Sequence, residues 1–505
     1  MGQISFVAGV VSVTLAAVLG LSACGSGDSS SGSGAESVES TEVQLKTAPA
    51  SGVTCIAVTG TYGNGTPTVK KYLTVAANAS TSALTLGQLP LGSVRFTANA
   101  YGLACTDATV TGGTAQANWI ADPVQLNLQA GVVSTLQMNF HKLNAVAASA
   151  NFIDNIKSVT AGGFSTFVIT TDGTLKYWGL VDGAFGTNPA VALTTTNFPI
   201  SGPITAVSSS RNASACALKA DGTVWCWGIN SNGQLGNGTN VDSVNTPVKV
   251  TGLANISSVG VGRFHACAAS EKLGKVWCWG YNGYGQLGNS TTASSSLPVE
   301  VSYMGYNVRP RKLAITDYSS CVLQDSGQTY CWGNNDYGQL GIGQTASYDF
   351  PVQVGIDRNI KDIAAGGIHV CYVKTNNSLW CWGGNYVGQI GNGTTTAAST
   401  PVLVLNNTAT VTAGAQHTCA LQNDGSVYCW GFNGDGELGN GASTNALSPT
   451  PVPNLFGALS ISSTNNHNCA WLGDLNVACW GANDYGQLGT GDYVNAYTPI
   501  YVPLQ

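Results

Sequence analysis

Short apolar runs, separated by Gly-rich polar segments, make up the chain from residue 151 onward. Runs such as Val-Trp-Cys-Trp at 224–227 and Leu-Trp-Cys-Trp at 379–382 are apolar at consecutive positions. A strand with one face in water alternates apolar and polar residues, whereas a strand covered on both faces does not. These runs therefore predict short β-strands that are buried on both faces, with turns between them.

Residues 51–145 have a different pattern, in which apolar and polar residues alternate within short segments. The segments lie at 68–75, 83–86, 94–100, 124–128 and 132–140. Turn signals separate them, as expected of a small β-sandwich domain. The stretch at 89–96 resembles the prealbumin-like and carboxypeptidase-regulatory-like modules of exported bacterial proteins, which favours a spacer or adhesion role. Cys55 and Cys105 are its two cysteines and predict one disulfide.

The N-terminus predicts export. Residues 4–21 are apolar and uncharged, and Leu21-Ser22-Ala23-Cys24 resembles the lipobox of bacterial lipoproteins. We therefore expect residues 1–23 to be a signal peptide, Cys24 to be lipidated, and the protein to lie in the cell envelope, at the outer membrane or cell surface. An uncleaved membrane anchor is the alternative. Residues 24–50 are rich in Ser and Gly, which predicts a flexible tether.

Seven copies of one unit organise residues 151–505. The pair Trp-Gly recurs at Trp178, Trp227, Trp279, Trp332, Trp382, Trp430 and Trp480. A Gly-rich loop follows these pairs, with Gly-Gln-Leu-Gly at 233–236, 285–288 and 486–489 as examples. A short hairpin precedes each Trp. The repetition predicts seven similar antiparallel units.

Six of the units carry a Cys pair with a nearly constant spacing. The pairs are Cys216 with Cys226, Cys267 with Cys278, Cys321 with Cys331, Cys371 with Cys381, Cys419 with Cys429, and Cys469 with Cys479. An antiparallel register centred on Asp424 places Cys419 opposite Cys429 and leaves a three-residue loop that ends in Gly425. Facing cysteines are close enough for a disulfide. Zinc is the alternative, but no close CxxC pair occurs, and exported thiols oxidise. The first unit has Phe167 and Tyr177 at the two matching positions.

The repeated unit Gly-x-x-His-x-Cys-Ala-Leu … Asp-Gly-x-Val-x-x-Trp-Gly, followed by Gly-Gln-Leu-Gly, resembles the repeat of the regulator of chromosome condensation (RCC1) family. The resemblance covers residues 151–505 and implies a seven-bladed β-propeller, here in an exported bacterial lipoprotein. Proline-containing strands begin at Pro199, Pro247, Pro298, Pro351, Pro401, Pro451 and Pro499. Since the last of these has no hairpin after it, we expect the C-terminal strand to complete the blade of Trp178 and close the ring.

The charge and the motifs of the sequence exclude several classes of function. Charged residues make up 9% of the chain, and 19 Lys and Arg face 25 Asp and Glu, so we expect no nucleic-acid partner. No catalytic or cofactor motif stands out, and we expect neither an enzyme nor a bound metal. His265, His369, His417 and His467 each stand two residues before a Cys, where the other units have Ser. A hydrogen bond to neighbouring backbone explains this position better than metal ligation.

The remaining hypothesis is a binding scaffold with an unidentified protein or envelope polymer as its partner and a lipid anchor in the membrane. Variable segments at 237–246, 289–297, 342–350, 392–400, 440–450 and 490–498 predict loops on a rigid ring. The candidate binding residues are Tyr281, Tyr284, Tyr337, Tyr386, Phe432 and Tyr485. The resemblance implies a precedent for protein binding, because a secreted bacterial relative inhibits β-lactamases. The alternatives are guanine-nucleotide exchange, as the family name implies, and carbohydrate or cell-wall adhesion.

Replacement of Cys24 tests the export prediction. Cys24→Ala should abolish acylation and leave unprocessed precursor, because the lipidated thiol would be missing. Ser22→Ala is the control, since it keeps a small residue before the cysteine. Mass spectrometry of the N-terminus measures both, and a native protein with an unmodified Cys24 would contradict the prediction.

Overall fold

The structure, a computed structural model, describes parts of two compact units, residues 1–149 and 150–505. The described residues of the first unit are 10–16, 37–46, 55–61, 67–74, 82–90, 92–101, 106, 119–121, 124–128 and 135–142. Those of the second are 156–180, 198–302, 309–473 and 477–502. Every regular element in these ranges is a β-strand. Within them, no helix is long and apolar enough to span a bilayer.

The described residues of the first unit form nine strands. They are β1 (Val10–Ala16), β2 (Ser37–Lys46), β3 (Cys55–Thr61), β4 (Pro67–Thr74), β5 (Ser82–Pro90), β6 (Gly92–Tyr101), β7 (Trp119–Ala121), β8 (Val124–Leu128) and β9 (Thr135–Lys142). Hydrogen bonds connect them in the order β4-β3-β6-β7-β9-β1-β2-β5, with β8 beside β6. The sandwich arrangement expected for residues 51–145 stays a prediction.

Strands β1 and β2 occupy segments for which the sequence predicts a signal peptide and a tether. Strand β2 contains Val43-Gln44-Leu45, the alternation of a strand, and it pairs with both β1 and β5. The flexible tether expected for residues 24–50 stays a prediction. A signal peptide is removed after export, so its conformation in the full chain does not test cleavage. Cys24 and Cys105 lie outside the described residues, so the lipidation of Cys24 and the bridge from Cys55 to Cys105 stay predictions.

The second unit consists of seven antiparallel sheets arranged as the blades of a ring. The first three blades contain β10 (Ile156–Ala161), β11 (Ser165–Thr170) and β12 (Leu175–Gly179); β13 (Ile204–Ser209), β14 (Ser214–Lys219), β15 (Val224–Gly228) and β16 (Ser243–Lys249); and β17 (Ser258–Val261), β18 (His265–Ser270), β19 (Lys275–Gly280) and β20 (Ser295–Glu300).

The next two blades contain β21 (Pro310–Ile315), β22 (Ser319–Gln324), β23 (Thr329–Gly333) and β24 (Tyr348–Gln353), then β25 (Ile360–Ala365), β26 (His369–Lys374), β27 (Leu379–Gly383) and β28 (Ala398–Leu405). The last two contain β29 (Thr408–Ala413), β30 (His417–Gln422), β31 (Val427–Gly431) and β32 (Ala446–Pro451), then β33 (Ser460–Thr464), β34 (His467–Trp471), β35 (Val477–Gly481) and β36 (Ala496–Tyr501). The first strand of every blade lines a central cavity of about 350 Å³. The predicted seven-bladed β-propeller is confirmed.

The hairpins at the centre of the blades have the register that the sequence predicts. Cys419 lies opposite Cys429, and Gly425 has φ of 82° in the turn. In the first blade, Phe167 lies opposite Tyr177, at the two positions that cysteines occupy elsewhere. The three-residue loop inferred from spacing alone is therefore the loop that forms.

Six disulfides are present in the propeller, and they are the six pairs that the sequence predicts. Cys216 is bonded to Cys226, Cys267 to Cys278, Cys321 to Cys331, Cys371 to Cys381, Cys419 to Cys429, and Cys469 to Cys479. Their Cα–Cα distances are 4.0–4.1 Å, as expected of residues that face each other across an antiparallel pair. Each bridge links two neighbouring strands within one blade, and none of the six crosses between blades.

A buried Trp joins neighbouring blades at six seams, whereas the buried indole N–H of Trp227 has no partner among the described residues. At each of the six seams, the indole N–H donates to a backbone carbonyl in the Gly-Gln-Leu-Gly loop of the preceding blade, at 2.8–3.0 Å. The pairs are Trp279 with Gln234, Trp332 with Gln286, Trp382 with Gln339, Trp430 with Gln389, Trp480 with Glu437 and Trp178 with Gln487. The last Gly of each loop lies against the same ring: a Cβ on Gly236 would stand 2.8 Å from Trp279 Nε1. We call this pair of contacts the tryptophan latch.

The ring closes through such a latch, and the expectation that the C-terminal strand completes the first blade is wrong. Cys479 faces Ile500, so β36 belongs to the seventh blade. Trp178 and Thr166 of the first blade both donate to the carbonyl of Gln487 at 2.8 Å. The sequence misleads here because each proline strand is adjacent in the chain to two hairpins. The fourth strands also begin several residues before their prolines, so the segments expected to be loops end in strand.

Glycine substitutions at two neighbouring positions test the closing latch. Gly489 and Gly491 have φ of 70° and 88°, so alanine strains the backbone by about 1–2 kcal/mol at either site. A Cβ at 489 would also meet Trp178 at 2.8 Å, whereas a Cβ at 491 meets nothing within 4 Å. Gly489→Ala should therefore destabilise the propeller by about 1–3 kcal/mol more than Gly491→Ala. Chemical denaturation measures the difference, and equal losses would show that the latch contributes nothing.

Candidate binding face

One end of the propeller gathers two sets of loops. In a four-stranded antiparallel blade, the connections from first to second strand and from third to fourth strand leave the sheet at the same end. The first set spans 162–164, 210–213, 262–264, 316–318, 366–368, 414–416 and 465–466. The second spans 229–242, 281–294, 334–347, 384–397, 432–445 and 482–495. We call the surface made by these loops the upper face.

A buried asparagine holds each loop of the second set in one conformation. Asn282 accepts a hydrogen bond from Leu287 N at 2.8 Å and donates to the carbonyls of Thr291 and Ala293 at 2.9 and 3.0 Å. The equivalent positions are Asn230, Asn335, Asn385, Asn433 and Asn483. Because a buried side chain is fully hydrogen-bonded to the loop backbone, these long loops are pre-organised.

The first-set loops are linked to one another around the central cavity. Asp317 N donates to Gly367 O at 3.0 Å, Gly367 N to Ala415 O at 3.0 Å, and Ala415 N to Asn465 O at 2.9 Å. Arg211 from the second blade forms an ion pair with Asp317 from the fourth. Burial raises the pKa of Asp317 to about 6, and the charges of Arg211 and Arg263 oppose this rise. The centre of the upper face is therefore a connected surface.

All six candidate binding residues lie on second-set loops of the upper face, in separate groups. Tyr281 and Tyr284 contact each other at 6.3 Å between ring centroids, and Tyr337 contacts Tyr386 at 5.4 Å. Tyr485 contacts Phe164, outside the predicted set, at 4.8 Å. The ring of Phe432 lies over Gly434 of its own loop.

The sequence did not single out Phe264 and Tyr318 as binding residues. Both come from first-set loops and contact the third-blade tyrosines: Tyr318 lies 5.3 Å from Tyr284 and 5.5 Å from Phe264. Their positions differ in residue type from repeat to repeat, so no repeated signal marks them. Phe264 shares the third blade with these tyrosines, and only the packing of the fourth blade against the third adds Tyr318 to them.

The four histidines at the repeated position contact side chains of the next blade rather than neighbouring backbone. The Nε2–hydroxyl distance is 2.9 Å for both His265–Ser320 and His467–Thr166 and 2.8 Å for His369–Thr418. His417 Nε2 lies 2.8 Å from the Asn468 side-chain oxygen.

For the three histidines with hydroxyl partners, the hydrogen bonds of the hydroxyl determine which ring nitrogen carries the proton. Ser320 donates its own proton to Gln286 O, which also accepts from Trp332, so Ser320 accepts from His265 Nε2. Complete burial lowers the pKa of His265 to about 3, and the ring stays neutral. The expected backbone partner is therefore corrected to a side chain of the next blade. The described residues hold no cluster of three or more His, Cys, Asp or Glu side chains suited to a metal.

Glu437 stands where the other described loops have Gln. Its Oε2 accepts from Asp435 N at 2.9 Å, as Gln286 Oε1 accepts from Tyr284 N at 3.0 Å. Its buried Oε1 has no hydrogen-bond partner. Burial raises the pKa of Glu437 to about 8, with a smaller contribution from the Asp435 charge. A protonated carboxyl thus replaces the amide in the sixth-blade latch at neutral pH.

Family comparisons agree with this geometry. The model of the RCC1-like domain matches residues 256–505, and two models of the regulator of chromosome condensation (RCC1) repeat match 221–269 and 204–234. The chain belongs to the RCC1 repeat family. The described blades extend the RCC1 propeller to residue 156, beyond the matched range.

Related proteins show the breadth of the RCC1 family. The chain is 31% identical over 212 residues to the mitochondrial RCC1 domain-containing protein RUG3 of Arabidopsis thaliana, covering 39% of this chain and 47% of that protein. It is 30% identical over 167 residues to the ultraviolet-B receptor UVR8 of the same plant, covering 32% and 37%. The chain thus spans less than half the length of these curated relatives.

Solved structures share the RCC1 fold. The yeast Prp20p structure, from Saccharomyces cerevisiae, has a TM-score of 0.58 at 20% identity, covering 66% of this chain and 87% of that one. Human WBSCR16 has a TM-score of 0.56 at 19% identity, covering 68% and 91%.

Glu437→Gln tests the unusual latch. Folding raises the pKa of Glu437 from its ordinary 4.5 to about 8. The free energy of unfolding of the parent protein therefore falls progressively as pH rises from 4.5 to 8. Glutamine has no such cost, and Glu437→Gln should become increasingly more stable than the parent across that window, by about 1–3 kcal/mol at its upper end. Denaturant unfolding at several pH values measures the gap.

The reverse change is the matched control. Gln389→Glu places a carboxyl at the same position of the fifth-blade loop and should acquire the same loss of stability with rising pH. A Glu437→Gln gap that is constant from pH 4.5 to 8 would contradict the assignment.

Proposed function

We propose that this protein is a non-enzymatic scaffold that binds a partner protein through the upper face. The observation that carries the proposal is the set of partly exposed tyrosines on loops whose backbone is already held in place. Tyr284 and Tyr386 are 42% and 56% exposed. Tyrosine supplies large contact area at low entropic cost, and preformed loops lose little freedom on binding.

The cellular setting belongs to the same proposal. We infer an envelope lipoprotein, exported by residues 1–23 and anchored through Cys24, with the propeller outside the cytoplasm. Six disulfides in the propeller support an oxidising compartment, where such bonds persist.

Relatives suggest a regulatory alternative. The Prp20p structure is described together with its binding to Gsp1p and histones, and a second yeast structure as Kap60 bound to RCC1. The alternative is a regulator that acts by guanine-nucleotide exchange. At about one-fifth identity these structures support the shared fold, and the partners described with them favour protein binding as the general role. The human E3 ubiquitin-protein ligase HERC2 matches over only 4% of its own length, so its ligase activity is not carried over to this chain.

Site-specific photocrosslinking in the source cells tests the proposal. A benzophenone amino acid in place of Tyr284 should yield an adduct of defined mass with a protein partner. The same crosslinker in place of Leu273, 47% exposed in the hairpin at the opposite end of the third blade, is the matched control. Mass spectrometry identifies the adduct.

A double substitution makes the test specific for the face. Tyr337→Ala with Tyr386→Ala should weaken the Tyr284 adduct while the melting temperature changes by only a few degrees, as expected of about 1 kcal/mol or less at partly exposed sites. Adducts from position 273 alone would place the binding surface at the opposite end of the propeller. No adduct from either position would refute the proposed scaffold.

A further inference from the structure

Four aromatic rings form one cluster on the upper face between the third and fourth blades. Phe264 and Tyr318 come from first-set loops, and Tyr281 and Tyr284 come from the second-set loop of the third blade. Besides the contacts given above, Tyr281 lies 6.4 Å from Phe264 and 6.5 Å from Tyr318, between ring centroids. We call these four residues the aromatic tetrad. Edge-to-face packing keeps the rings in place without a ligand.

Arg263 extends the tetrad with a positive charge, which also lowers the pKa of the neighbouring Asp317 carboxyl. Its guanidinium carbon lies 4.9 Å from the centroid of the Phe264 ring, a cation–π contact. Within the described residues Arg263 makes no hydrogen bond and no ion pair, whereas Arg211 beside it is paired with Asp317. Arg263 is partly exposed, so the donors of its planar fork are available to a ligand.

The charged side chains of the loops around Arg263 are mostly acidic. Arg211 and Arg263 are the only Lys or Arg side chains in the described loops of the upper face. Those loops also carry the aspartates Asp242, Asp317, Asp336, Asp435, Asp484 and Asp492. An anionic group on a partner would therefore be repelled over most of the face and attracted at Arg263. One cation in an acidic surface fixes the orientation of a partner more than it adds affinity.

From this geometry we infer that Arg263 and the aromatic tetrad form the anchor site of the upper face, and that it takes an Asp or Glu carboxylate flanked by an apolar side chain of the partner protein. The fork of Arg263 receives the carboxylate in a bidentate pair, and the rings cover the neighbouring apolar group. A nucleic acid or other polyanion is disfavoured, since Arg263 is the one cation without an ion pair in the described loops and stands among carboxylates. The inference rests on the proposed function and names the chemistry of its partner.

Peptide selection on the full-length protein tests the anchor site directly. A phage library of random peptides, panned on the immobilised chain, should enrich Asp or Glu next to an aromatic or aliphatic residue. The synthetic form of the most enriched peptide should bind Arg263→Ala about tenfold or more weakly, as expected for loss of a charge-assisted hydrogen bond. Arg263→Lys should recover part of the affinity, because it restores the charge without the fork.

Controls separate this inference from the proposed function. Arg311→Ala removes an exposed arginine from the first strand of the fourth blade, near its opposite end, and should leave peptide affinity unchanged. Changing the peptide's acidic residue to its amide should weaken binding to the parent but not to Arg263→Ala.

Two outcomes would overturn the inference. If Tyr284→Ala weakens the peptide and Arg263→Ala does not, the face binds but the carboxylate site is wrong, and the proposed function stands. If no enriched peptide depends on Arg263 or on the tetrad, the anchor site is refuted, while the crosslinking experiment decides the proposed function independently.

Discussion

The hydrogen bond from each latch tryptophan to the preceding blade is the interaction on which the rest of this propeller depends. A buried indole N–H needs an acceptor, and Trp279 finds it in the Gln234 carbonyl of the neighbouring blade. A single blade therefore leaves its own tryptophan unsatisfied. The same contact between Trp178 and Gln487 closes the ring without exchange of strands. The seam that closes the ring is thus of the same kind as the others, and it joins the first blade in the sequence to the last.

The latch is reinforced by polar side chains that are satisfied across the seam. The carbonyl that accepts from Trp332 also accepts from Ser320, and Ser320 in turn accepts from His265. Complete burial lowers the pKa of His265, which keeps the ring uncharged within this network. The disulfides act at a different level, because each lies inside one blade. Local bridges stabilise the hairpins, and the hydrogen-bonded seams stabilise the order of the blades.

The same loops join the blades and carry the exposed residues of the upper face. The Gly-Gln-Leu-Gly segment forms the latch on its buried side, while the residue before it, such as Tyr284, faces the surface. Since Asn282 and the latch hold the loop from below, the exposed residues can vary without loss of the fold. The upper face of this chain carries tyrosines and carboxylates at these positions, and Arg263 is the one cation of its described loops that forms no ion pair. A rigid ring thereby presents a surface whose chemistry is set by a few loop positions.

The sequence by itself determined the local structure: seven units, the hairpin register around Asp424, the six bridges and the left-handed glycine in the turn. These features depend on residues fewer than about fifteen positions apart, where spacing alone restricts the geometry. Tertiary structure decided which hairpin receives each proline strand, because both neighbours are equally close along the chain. It also decided the partners of the histidines and the contact of Tyr318 with the aromatic rings of the third blade. Those contacts join different blades, and their energy depends on the angle and height at which two sheets pack, which no spacing within one repeat records.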